Sequence, residues 1–169
     1  MNLSPLQLRS RKLLRTIMHA LAESGLPVHR LELEITESVL LQEDKEARGN
    51  LSQLKNLGVA IAMDDFGTGY SSLSSLHRFS FDKIKIDRSF IAGLSSGSGA
   101  IAIVRAVTSL ANSLGIVVTA EGVETEEQLK RLRAEGCHEV QGYLFSPPRP
   151  ASEILDVLAR CRHLLVEAA

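Results

Sequence analysis

Apolar residues along this chain switch repeatedly between helical and strand spacing, and the switches divide it into elements. Asn2-Leu3 reads as the end of a strand. Ser4 as a cap and Pro5 at the first helical position then open a helix, along which Leu14, Ile17, Met18 and Leu21 recur at helical spacing until Ser24-Gly25-Leu26-Pro27 stops it. Leu31-Glu32-Leu33-Glu34-Ile35-Thr36 alternates with period two, which places Glu34 on the face opposite the leucines. Ala47, Leu51, Leu54 and Leu57 mark the next helix, stopped by Gly58, and the apolar run 59–63 is a strand ending at Asp64-Asp65. A glycine-spaced, hydroxyl-rich turn leads into a short helical segment with Leu73 and Leu76. Lys83-Ile84-Lys85-Ile86 is a strand ending at Asp87, and 95–99 is a flexible loop. A long helix follows, with Ile101, Val104, Val107, Leu110, Ala111 and Leu114 on one face. Ile116-Val117-Val118-Thr119-Ala120 ends at Glu121, Thr125 opens a helix carrying Leu129 and Leu132, His138-Glu139-Val140-Gln141 is the last strand, and Ile154, Leu155 and Leu158 belong to a closing helix behind Ser152.

Strand and helix thus alternate six times, which calls for parallel strands joined by right-handed crossovers. A doubly wound sheet and a barrel both satisfy that. The polar residues discriminate: Asn2, Glu34, Asp64 with Asp65, Lys85 with Asp87, Glu121 and Gln141 each fall at or near the end of a different strand. In a β/α barrel these ends converge on one face, where active sites are built, whereas an open sheet spreads them along an edge. The expected fold is therefore α/β, a TIM-type (β/α) barrel. A closed barrel has eight units and typically about 250 residues. With 169 residues, this chain is expected to supply about six of the eight, the other two being absent from its N-terminal side.

Composition narrows the chemistry. The chain is 44% hydrophobic and 23% charged, the balance of a globular domain with a real core. A net charge of −1 offers no basic field for nucleic acid, so a phosphate-bearing ligand needs a local site or a metal. Cys137 and Cys161 form neither a zinc pattern nor a disulfide framework, which fits a reducing, cytoplasmic setting, whether or not a parent protein is membrane-attached. No apolar run approaches the roughly 20 residues of a membrane span, so no direct membrane contact is expected.

Carboxylates, an amide and a lysine at one barrel mouth make a site for hard divalent cations, because Mg2+ and Mn2+ prefer oxygen ligands. None of His19, His29, His77, His138 and His163 belongs to a ligand pair, and each reads as a surface or packed residue. Asp64, flanked by Asp65, is placed to bridge two ions, and two-metal sites suit phosphoryl chemistry. Lys85 would orient water or offset phosphate charge, unless it is only a salt-bridged lysine. Gly67-Thr68-Gly69 is an incomplete dinucleotide fingerprint, and the adjacent acids would repel a pyrophosphate.

The motifs Glu34-Ile35-Thr36-Glu37, Asp64-Asp65-Phe66-Gly67-Thr68-Gly69-Tyr70-Ser71-Ser72-Leu73, Lys85-Ile86-Asp87, Ala120-Glu121-Gly122-Val123-Glu124 and Gln141-Gly142-Tyr143-Leu144-Phe145-Ser146 resemble, in order, those of the EAL domain family of bacterial cyclic-di-GMP phosphodiesterases. Asn2-Leu3-Ser4 resembles that family's third-strand motif. The resemblance implies that residues 1–169 are the C-terminal two thirds of a single EAL domain, hydrolysing cyclic-di-GMP to linear pGpG with two Mg2+ or Mn2+ ions. It implies Asn2, Glu34 and Asp64 as ligands of the first metal, and Asp64, Asp65 and Glu121 as ligands of the second. Lys85 would hold or activate the attacking water. Glu37 would anchor the loop 65–73, and Asp65, Asp87, Glu124 and Gln141 would complete the site around water and substrate.

The family's Glu-Ala-Leu segment is absent, and Pro147 stands where the family usually has arginine, with Arg149 two places on. Loss of a first-metal carboxylate should weaken that metal site, and unpaired sheet edges would need a homodimer or a complementing chain. A catalytically silent EAL remnant, acting as a cyclic-di-GMP receptor or protein-interaction module, is the alternative function. An unrelated metal-dependent barrel enzyme is a third.

Overall fold

The computed structural model describes residues 1–37, 44–68, 79–96 and 99–166. Among these, five strands form one parallel sheet in the order β1-β2-β3-β4-β5: β1 (Glu32–Thr36), β2 (Ala60–Phe66), β3 (Lys83–Ile86), β4 (Val117–Glu121) and β5 (Glu139–Gln141). Each strand neighbours the one before it in sequence. A doubly wound sheet reverses its order partway, so this is barrel winding. The expected sixth strand is a single parallel bridge between Asn2 and Glu34, in which Leu3 N donates to Glu34 O at 2.8 Å and Glu34 N to Met1 O at 2.9 Å. The pairing stops there because Ser4 caps a helix whose first residue is Pro5.

The parallel register sorts the side chains. Glu32 and Glu34 pair with Ala60 and Ala62, Ala62 with Lys83, Lys85 with Thr119, Thr119 with Glu139, and Glu121 with Gln141. One face of the sheet is therefore charged. The alternate residues Leu33, Ile35, Ile61, Met63, Ile84, Ile86, Val118 and Ala120 are buried in the core with Leu8, Leu13, Ile17, Leu54, Val104 and Leu132 from the helices. Burying that face is the main source of stability, at about 25 cal/mol per Å² of apolar surface.

Helix boundaries follow their caps. In α1 (Pro5–Leu8) Ser4 Oγ accepts from Gln7 N while Gln7 Oε1 accepts from Ser4 N. The single helix expected from Ser4 onward is divided: α1 is short, and α2 spans Leu13–Ser24. The carbonyls of Leu8, the last residue of α1, and of Ser10 beyond it accept from Asn50 Nδ2, at 2.6 and 3.1 Å, which holds the break open against α3 (Lys45–Leu57). After β3 come α4 (Arg88–Ala92), a tight turn over Gly93–Ser96, and α5 (Ala100–Leu114). The first part of the expected loop at 95–99 thus belongs to that turn. A capping box of Thr125 and Gln128 opens α6 (Glu126–Ala134), and α7 covers Ile154–Val166. Ahead of α7 a 3-10 turn over Ala151–Glu153 is entered at Pro150, so Ser152 lies inside a turn and is not a cap. The segment expected to carry Leu73 and Leu76 lies outside the described residues.

Candidate metal centre

Adjacent residues of a regular strand face opposite ways, so an unbroken β2 would separate Asp64 from Asp65. The strand is not regular there. Its register with β3 shifts between Met63 and Phe66, and Asp65 adopts a φ of 55°, a left-handed conformation that aspartate tolerates better than most residues. Such a bulge re-aims a side chain. One carboxylate oxygen from each of Asp64, Asp65 and Glu121 consequently lies within 4.8 Å of the others.

The turn beyond is tied down at its start. Thr68 N and Oγ1 both donate to Asp65 O, at 3.3 and 2.8 Å. Gly67 has a φ of 95°, and a Cβ there would meet the Phe90 ring at 2.9 Å. Its N–H donates at 3.2 Å to Oε2 of buried Glu37, while Glu37 Oε1 has no hydrogen-bond partner. Glu37 is thus hydrogen-bonded to the first glycine of the loop 65–73. Residues 69–73 of that loop lie outside the described residues.

Lys85 stands among the acids of three strands. Its Nζ lies 2.6 Å from Glu121 Oε1, 3.0 Å from Glu34 Oε2 and 3.2 Å from Asp64 Oδ1, and the residue is 5% exposed. Burial alone would lower its pKa, but the hydrogen bonds to Glu121 and Glu34 and the surrounding negative charge hold it well above the ordinary value. Glu121 is shifted upward by burial and by the charges of Asp64 and Glu34, against the relief that Lys85 gives. Asp65 is shifted upward by burial and by the charges of Asp64 and Asp87. Asp64 Oδ1 is buried and accepts no hydrogen bond, although it is within ion-pair range of Lys85. One ammonium does not satisfy these acids. An under-satisfied set of hard oxygen donors fits a divalent cation.

The remaining expected site residues stand around this cluster. Asn2 is bridged to Glu34 through its neighbours' backbones and is exposed. Asp87 sits at the end of β3, where it caps α4: its Oδ1 accepts from Ser89 N at 2.9 Å and from Ser89 Oγ. Burial opposes the charge of Asp87, but those bonds together with the backbone N–H and the charge of Arg88 lower its pKa. Glu124 and Gln141 line a cleft of about 230 Å³ with Glu121, Arg88 and Tyr143. Arg88 and Tyr143 also line this cleft, and the sequence gives neither a role, although each lies within two positions of a strand-end residue singled out there. A cleft of about 390 Å³ between Lys55, Ile61 and Phe81 lies at the opposite end of the strands. His138 has a structural use, its Nδ1 accepting from Val118 N at 3.0 Å.

The model of the EAL domain family matches residues 1–148. The chain belongs to the EAL domain family. It is 54% identical to the uncharacterised protein y4lL of Sinorhizobium fredii over 93% of this chain and 19% of that protein. The chain thus spans about a fifth of the length of the curated relatives it matches at that level. Among solved EAL structures, the MucR phosphodiesterase of Pseudomonas aeruginosa in complex with cyclic-di-GMP shares 42% identity at a TM-score of 0.85, over 90% of this chain and 62% of that one. A manganese and cyclic-di-GMP complex of Klebsiella pneumoniae BlrP1 shares 38% identity at 0.82, over 88% and 38%. The EAL chain carries no helix, among the described residues, that is long and apolar enough to cross a membrane.

Proposed function

We propose that this chain is the C-terminal two thirds of a cytoplasmic EAL domain that hydrolyses cyclic-di-GMP to linear pGpG with two Mg2+ or Mn2+ ions. The observation that carries the reading is the convergence of Asp64, Asp65 and Glu121 on one point beside Lys85. Asn2, Glu34 and Asp64 would hold one ion, and Asp64, Asp65 and Glu121 the other, with Asp64 common to both. When bound, such a pair supplies Lewis acidity to the phosphodiester and makes water nucleophilic near neutral pH.

The chain's own residues do the rest. Lys85 would hold the attacking water by hydrogen bonding and offset phosphate charge. Glu37 fixes the loop entry through Gly67. Asp87, which caps α4 directly after β3, would complete the site around water and substrate. Glu124, Gln141, Arg88 and Tyr143 line the cleft into which the nucleotide would extend. In the reaction the water oxygen bonds to phosphorus, the phosphorus–O3′ bond breaks, and the released 3′ oxygen takes a proton, leaving a 5′ phosphate. A homodimer or a complementing chain would cover the open sheet edges.

Incubation of the 169-residue chain with cyclic-di-GMP and Mn2+ tests the proposal. Release of pGpG that a chelator stops is expected. Binding in Ca2+ without turnover in Mn2+ would overturn it in favour of a receptor.

A further inference from the structure

A second charged layer lies directly behind the metal centre. Lys83 Nζ is 2.8 Å from Glu32 Oε2 and 2.7 Å from Glu139 Oε2, and Thr119 Oγ1 donates to the same Glu139 oxygen at 2.9 Å. The Lys83 side chain is 18% exposed. Glu32, Lys83, Thr119 and Glu139 stand two residues before Glu34, Lys85, Glu121 and Gln141 on four strands. Two residues of parallel strand span about 6.6 Å, so the layers are stacked on one face of the sheet. β2 makes room for both lysines with Ala60 and Ala62, paired with Glu32 and Glu34.

Each layer carries more acid than base. The rear layer has two carboxylates for one ammonium, and the front layer has Glu34, Asp64 and Glu121 around Lys85. Without Lys83, the side chains of Glu32 and Glu139, 30% and 49% exposed, would lose the ammonium that pairs them. Lys85 is the next cation along β3 on the same face, one layer forward.

We infer that Lys83 is a positioning residue of this site: by holding Glu32 and Glu139 it keeps Lys85 on the forward carboxylates. Its loss would draw Lys85 rearward. The forward acids would then be more negative and bind a cation more tightly, while the water-holding ammonium is misplaced. A residue that merely stabilised the fold would weaken metal binding and turnover together. The kinetic part rests on the phosphodiesterase reading; the metal part does not.

The test is Mn2+ titration calorimetry on the 169-residue chain, on Lys83→Met and on the triple variant Lys83→Met/Glu32→Gln/Glu139→Gln, with steady-state turnover in parallel. Lys83→Met is expected to bind Mn2+ on the order of tenfold more tightly, the effect of one unit charge at this range after screening. Its kcat is expected to fall about tenfold with KM for cyclic-di-GMP within about twofold. The triple variant, with no acid left to compete for Lys85, is expected to regain kcat. Unchanged or weaker Mn2+ affinity in a folded Lys83→Met would overturn the inference. If Lys83→Met fails to fold, the double variant Glu32→Gln/Glu139→Gln decides: it frees the charge of Lys83 and should weaken Mn2+ binding by a similar factor, and unchanged affinity would overturn the inference. A wild-type chain that binds Mn2+ but releases no pGpG would sink the catalytic reading, while the affinity shift still decides the role of Lys83.

Discussion

Asp64→Ala is expected to lower turnover of cyclic-di-GMP about a thousandfold or more while leaving the metal-free protein at least as stable as before. The first half follows from position. Asp64 is the residue assigned to both ions, and metal-ion catalysis contributes several kcal/mol, with each ~1.4 kcal/mol worth a factor of ten. The second half follows from the surroundings. Asp64 Oδ1 is buried without a hydrogen bond, and the residue shares its neighbourhood with Asp65, Glu34 and Glu121. Removing an unpaired buried acceptor and a like charge relieves two unfavourable terms, against the loss of one Lys85 contact. Thermal melts in chelator should therefore show a midpoint equal to or above wild type. A large fall would mean that Asp64 holds the fold, not a metal.

Lys85→Met is expected to do the reverse. The methionine fills a similar volume but leaves Glu34, Asp64 and Glu121 facing one another without their ammonium. Removing one partner of a buried ionic cluster costs on the order of 3–5 kcal/mol, a large share of the roughly 5–15 kcal/mol that stabilises a domain. The metal-free variant should melt well below wild type. Mn2+ should recover much of that loss, because a divalent cation restores the missing positive charge, so its addition should raise the midpoint more in the variant than in wild type. Turnover with metal present should still fall about a hundredfold, the scale of losing one preorganised donor. Melts with and without Mn2+ check the stability part. Equal metal-induced shifts in the two proteins would contradict it.

What the sequence made legible is whatever depends on period and on local capping. Leu33 and Ile35 against Glu34, Ser4 with Pro5, and the glycine stops at Gly58 and Gly115 all sit where local physics places them. Lys85 and Glu121 were recognisable as strand-end polar residues, and they meet. The break between α1 and α2 was not legible, because the bonds that hold it come from Asn50, some forty residues away. Nor was the conformation of Asp65: an Asp-Asp pair at a strand end does not announce a bulge, and only the slip against β3 shows how both carboxylates reach one side. The rear layer was hidden for a related reason. Glu32, Lys83 and Glu139 have the alternation of an ordinary solvated strand face, and only the register across the sheet shows that they face one another. A charged residue two places before Glu34, Lys85 and Gln141, on three strands at once, is the signal that would have found it.

The central claim is that Asp64, Asp65 and Glu121 hold a divalent cation beside Lys85. Anomalous diffraction from crystals of this chain grown in Mn2+ tests it most directly. The account predicts a manganese peak bonded to oxygens of all three carboxylates, absent from Asp64→Ala crystals. A map with no peak there, the three acids still gathered on Lys85 alone, would contradict it.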